Sequence, residues 1–126
     1  MTNTVIFEIP VGGAGCDGIS ISSDGVDVRV EIQAHEGGGT LRFLGVCAFR
    51  FANELHSRGF ILESYDSIVN VHDSSWRQGM IEGEPEDIFG SARTCRHLAV
   101  FFSNCGYLEV LSRNVQFGNR LFFEET

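Results

Sequence analysis

The sequence contains no lysine; its nine basic residues are all arginine. Without an amine there can be no P-loop, no Schiff-base nucleophile, no pyridoxal phosphate site and no Ser-Lys dyad. A genome whose base composition favours arginine codons accounts for the absence without invoking function. Long apolar runs are missing too. Met1-Thr2-Asn3-Thr4 has no basic flank and leads into only a few apolar residues before Pro10, so neither a signal peptide nor a membrane span is expected, and the expected location is cytoplasmic. Cysteine is scarce and scattered. Cys16, Cys47, Cys95 and Cys105 show no C-x-x-C spacing and are read as reduced thiols.

What is present is enough for a core. A chain of 126 residues is near the commonest size for one domain, so residues 1–126 are read as a single unit. With 43% apolar residues and eleven phenylalanines it has the surface needed to offset ordering entropy. The formal charge of −8 repels phosphate backbones and attracts basic proteins, which disfavours direct nucleic-acid binding.

Period-2 alternation dominates the chain. Val5, Phe7 and Ile9 fall on one side of a strand ended by Pro10, and Ile19-Ser20-Ile21 reads as a short strand. Asp24-Gly25 signals a hairpin into Val26, Val28, Val30 and Ile32, the clearest strand. Gly37-Gly38-Gly39 turns the chain into Thr40 to Ala52, where Leu41, Phe43, Cys47, Phe49 and Phe51 share a face and Gly45 marks a bulge. Asn53 to Gly59 reads as a turn or one helical turn, and Phe60 to Leu62 and Ser67 to His72 as extended. Ser75 with Gln78 fits a capping box, which starts a short helix at Trp76 that Gly83 and Pro85 stop. His97 to Ser103 and Tyr107 to Arg113 form a second hairpin about Asn104-Cys105-Gly106, with a last strand or packed tail at Val115 to Phe123. The fold class is therefore β-rich α+β, an antiparallel curved sheet of about six to eight strands with one short helix.

Four motifs invite chemistry. Gly13-Ala14-Gly15-Cys16-Asp17-Gly18 spells G-x-G-x-x-G, but a dinucleotide fingerprint must open a helix, and Ile19 to Ser22 alternates like a strand. A loop or hairpin is the reading. Cys95-Arg96-His97 sets a thiol and an imidazole at i and i+2, parallel rather than facing, which favours structural roles over a nucleophile and base. His35, His56, His72 and His97 are isolated, so no zinc site is expected, and no cofactor. Glu82, Glu84, Glu86 and Asp87 form the densest charge run, by default a solvated loop, otherwise an electrostatic landing site beside Trp76 as its aromatic anchor. Leu121, Phe122 and Phe123 crowd three apolar residues near the C-terminus, more than one strand face buries, which predicts an oligomer interface, possible in a homodimer.

The segments Arg96 to Phe102 and Asn104 to Leu111 resemble a C-terminal hairpin of small bacterial proteins, and Tyr65-Asp66-Ser67-Ile68-Val69 with Asp73-Ser74-Ser75-Trp76 adds to the likeness. In size and acidity the chain is similar to toxin-neutralising immunity proteins and phage-encoded inhibitors. That resemblance implies a non-enzymatic protein that blocks a basic, or nucleic-acid-handling, partner through Glu82, Glu84, Glu86, Asp87 and Trp76, and it carries over no catalytic residues. The alternatives are a small enzyme using Cys95 or His97, and a self-assembling subunit that pairs exposed edge strands.

Overall fold

In a computed structural model that describes residues 3–56, 59–86, 88 and 90–123, the chain runs through eight strands and one helix. The strands are β1 (Thr4–Glu8), β2 (Cys16–Ser23), β3 (Val28–Ala34), β4 (Gly38–Asn53), β5 (Ser67–Val71), β6 (Arg96–Phe102), β7 (Gly106–Phe117) and β8 (Arg120–Leu121). The helix, α1, is Ser75–Glu82. All strand pairs are antiparallel within a single sheet of order β1-β5-β6-β7-β4-β3-β2, with β8 on β7.

The centre of that order explains the apolar runs. In β6 every residue from His97 to Phe102 is buried, and β7 is buried along most of its length, because both strands are flanked on two sides and covered on two faces. Leu98, Val100, Phe102, Leu108 and Val110 join Leu41, Phe43, Val28 and Val30 in the main core. Ala99, Phe101 and Tyr107 form a second, smaller cluster with Phe60, which stacks on Phe101 at 4.4 Å.

Local chemistry sets the turns. Between β2 and β3, Asp24 Oδ1 accepts from the N–H groups of Val26 and Asp27 at 2.9 and 2.8 Å, closing an Asx turn that leaves Val26 exposed while Val28, Val30 and Ile32 go inside. The G-x-G-x-x-G run leads into β2, not into a helix. The bulge in β4 falls at Cys47, between the pairs Val46–Ser112 and Ala48–Leu111, two residues beyond Gly45. Gly45 has φ +62, and a Cβ there would meet the Arg113 side chain, so glycine is required for the bend rather than as the bulged residue.

Three sequence readings need correction. A bulge between Val5 and Phe7 breaks their alternation, leaving Val5 exposed while Phe7 packs on the core, in a strand β1 that pairs with β5. Of Phe60 to Leu62, read as extended, Ile61 is extended but Leu62 opens a 3-10 turn, Leu62–Ser64. Helix α1 is capped by Ser74, whose Oγ accepts from Arg77 N–H at 3.0 Å, one residue before the expected box at Ser75. Gly83 ends the helix as expected.

Candidate functional site

A glutamate and a histidine stand among the apolar residues of the β6–β7 hairpin. Pairing sets His97 opposite Leu111 and Ala99 opposite Glu109, so His97 and Glu109 are diagonal neighbours on one face. His97 Nε2 lies 2.5 Å from Glu109 Oε2, and its Nδ1 lies 2.6 Å from Ser74 Oγ. The other carboxylate oxygen, Oε1, accepts from Arg50 Nε at 2.8 Å, because Arg50 faces Glu109 across the β4–β7 pairing. Burial works against the charge on Glu109, but the bonds from His97 and Arg50 outweigh it and hold the carboxyl below its ordinary value. An ionised Glu109 can only accept, so His97 carries its proton on Nε2. In the neutral ring Nδ1 then accepts from the Ser74 hydroxyl. The chain Arg50–Glu109–His97–Ser74 thus ties three strands and the cap of α1 into one polar network inside the fold.

Trp76 closes the side of this network. Its ring meets His97 edge-on at 5.1 Å, and the Arg50 guanidinium sits 4.1 Å over the same ring. The expected partner anchor is therefore half-buried and already engaged within the chain. Next to Ser74 and His97 opens a cleft of about 710 Å³, also lined by Asp73, Arg77, Arg93 and Arg96.

The acidic run divides by role. Glu84 is turned inward, accepting from Ser91 Oγ at 2.7 Å and Ala92 N–H at 3.0 Å, bonds that lower its pKa and cap the turn at Ala92–Thr94. Glu82 and Glu86 are exposed, with Glu82 accepting from Gln78 at 3.3 Å, and Asp87 lies outside the described residues. At the C-terminus Phe122 packs 4.9 Å from Phe7, and Phe123 lies under Arg96 at 3.9 Å with both backbone groups bonded to Asn114. Leu121, 46% exposed, is left as the outward residue of that trio.

The cysteine and histidine of Cys95-Arg96-His97 point to different partners. Cys95 Sγ donates to the Gly45 carbonyl at 3.5 Å, and both ring nitrogens of His97 are taken by Ser74 and Glu109. Burial raises the Cys95 thiol pKa, the reverse of activation. All four cysteines are free thiols. Among the described residues no three His, Cys, Asp or Glu side chains gather to hold a metal, and no helix is long and apolar enough to cross a membrane.

A second feature lies along β4. Strand β3 pairs with β4 only as far as Phe43, and Val46 N–H bonds to the Val26 carbonyl at 2.7 Å. Past that bond, as far as Phe51 and among the described residues, the strand pairing of β4 is with β7, while the Cys47 backbone N–H meets the Cys95 thiol. Phe49 and Phe51, opposite Val110 and Leu108, are each 41% exposed there, and Leu55 follows at 87%. The acidic loop is close by. Glu84, after burial and Cys95, is among the causes that push the Cys47 thiol up to about 11.

Sequence reasoning missed Ser74, Glu109 and Arg50. A carboxylate at the centre of Tyr107 to Leu111, at a position where alternation buries the side chain, was the available signal, since a buried charge demands partners. Comparison of the chain with protein-family models, curated proteins and solved structures finds no match.

Proposed function

We propose that the chain is a protein-binding inhibitor of the immunity type, which docks a basic partner protein along the outer half of β4. The stretch of β4 from Ala48 to Phe51, which among the described residues has strand pairing with β7 only and carries the exposed Phe49 and Phe51, is the observation that carries this reading. Natural sheets cover, charge or shorten such edges, because one-sided strands recruit further strands. Here the edge is long and presents phenylalanine. Covering two partly exposed phenylalanines contributes about 1–2 kcal/mol each, and added backbone hydrogen bonds fix the register.

Charge selects the occupant. At −8 two copies of the chain repel, whereas a basic surface is drawn in. Glu82 ends α1 and Glu86 lies on the loop that follows, whose Glu84 is near enough for its charge to act on Cys47, so they steer the approach, while Glu84 holds the loop in place. The test is quantitative affinity capture from the native host with wild type and Phe49→Lys/Phe51→Lys. A basic protein enriched by wild type and lost with the double variant supports the reading. Equal capture by the two, with both folded, removes its main support.

A further inference from the structure

A distinct observation, the hydrogen-bonded series Ser74–His97–Glu109 at the wall of the arginine-lined cleft, carries an activity separate from docking at β4. We propose that Ser74 is a nucleophile, His97 its general base and Glu109 the residue that orients the base, and that the cleft takes esters bearing a negative charge.

Geometry provides each role. Ser74 Oγ is 2.6 Å from His97 Nδ1, and the opposite ring nitrogen is 2.5 Å from Glu109, the nucleophile–base–orienter arrangement of acyl-transfer sites. Glu109 is itself fixed by Arg50 at 2.8 Å. Ser74 is half-buried at the cleft wall, in extended backbone just after Asp73, whose φ is +53. The first bond of α1 runs from Gln78 N–H to the Ser74 carbonyl, so the N–H groups of Ser75 and Trp76 come before the helical ladder and lie beside the nucleophile, where a carbonyl oxygen gains charge during attack.

The cleft's charge names the substrate class. In a chain of net −8, three of nine arginines line this one concavity. Arg77 is held by the carbonyls of Cys95 and Arg93 at 2.8 and 2.9 Å, and Arg96 by the Arg113 carbonyl at 2.9 Å, so neither spends its charge on a carboxylate in these bonds. Arg93 reaches Glu84 only at 3.8 Å. Asp73 is the opposing carboxylate of the cleft. Positive charge held by neutral carbonyls favours a carboxylate- or phosphate-bearing ester.

The reaction balances on these groups and water. Ser74 Oγ bonds to the ester carbon as its proton moves to His97 Nδ1. The carbon–oxygen bond to the leaving group then breaks, and the departing oxygen takes that proton. Water attacks the acyl-serine, giving a proton to His97, and the acid is released as Ser74 regains its proton. One ester and one water become one acid and one alcohol.

The same bonds also cap α1, so the test must separate capping from nucleophilicity. The full chain is treated with a fluorophosphonate and mapped by mass spectrometry, and turnover is compared on p-nitrophenyl acetate and its anionic counterpart, p-nitrophenyl hemisuccinate. The expected result is one adduct on Ser74, faster hydrolysis of the hemisuccinate, and loss of that preference in Arg96→Gln. Ser74→Asn, which retains a capping oxygen, and His97→Asn each lower turnover by at least about 100-fold. Glu109→Gln lowers kcat with KM unchanged, as expected of a positioning residue. Phe49→Lys/Phe51→Lys keeps the wild-type rate, which separates this proposal from docking at β4. Absence of an adduct on Ser74, or wild-type turnover by a folded Ser74→Asn, overturns the proposal, and preference for the acetate overturns its assignment of substrate charge.

Discussion

Replacing Glu109 by glutamine keeps the shape of the buried network and removes its charge. The oxygen facing His97 Nε2 becomes a neutral acceptor or an amide nitrogen, and the single amide oxygen cannot serve both His97 and Arg50. The bond to His97 is inside the fold, with both side chains nearly buried, so weakening it costs about 1.5–3 kcal/mol. The Arg50 side chain is 54% exposed, which reduces its share to about 0–1 kcal/mol. At about 2.1 cal/mol/K of unfolding entropy per residue, a loss of about 2–4 kcal/mol lowers the melting temperature by about 8–15 °C for 126 residues. The pH dependence has a definite sign. Glu109 has a native pKa below its ordinary 4.5, so its stabilisation is full above that value and fades as pH falls through the depressed native one. Melting wild type and Glu109→Gln between pH 7 and pH 2.5 should therefore show a wide gap near neutrality that closes in acid. A shift under about 2 °C at pH 7, or a gap that stays constant down to pH 2.5, refutes the network as described.

Further outcomes follow from other contacts. Trp76→Ala removes the surface shared with His97 and Arg50 and should cost about 2–4 kcal/mol in chemical denaturation, while a variant as stable as wild type would show the ring to be a free surface anchor. Gly106, at φ +149 with the Ala52 carbonyl where a Cβ would stand, should lose more than about 3 kcal/mol on conversion to alanine; Gly118, with open space around it, should lose only about 1 kcal/mol. Burial, then the charge of Asp66, pushes the Cys16 thiol up to about 12 from 9.0, so its contribution to stability is full below pH 9 and is lost as pH rises toward 12. Alkaline melts of Cys16→Ser should lack that part of the decline.

The strands legible in the sequence were those whose pairing is local. Val28, Val30 and Ile32 alternate because one face of β3 is buried, and Asn104 at φ +65 before Gly106 makes the β6–β7 turn readable from residue type. The partnership of β1 with β5 joins Thr4 to Asn70, and no local pattern encodes a pairing that distant. Ser74 and Ser75 are equivalent as caps in sequence, and only His97, which takes the hydroxyl of Ser74, separates them. The acidic run was visible as charge, but Ser91 and Ala92, which draw Glu84 inward, lie beyond the window in which a charge run is read. His97 was legible as a residue with a structural role, but its partners were not, because they come from α1's cap and from β7.

Docking at the outer half of β4 is tested most directly by amide hydrogen exchange on the chain with and without the basic protein recovered by affinity capture. New protection is expected to centre on residues 47–51, with little change in β6, whose amides are already inside the sheet. Protection confined to the arginine-lined cleft between α1 and β6, with residues 47–51 exchanging as in the free protein, would contradict it.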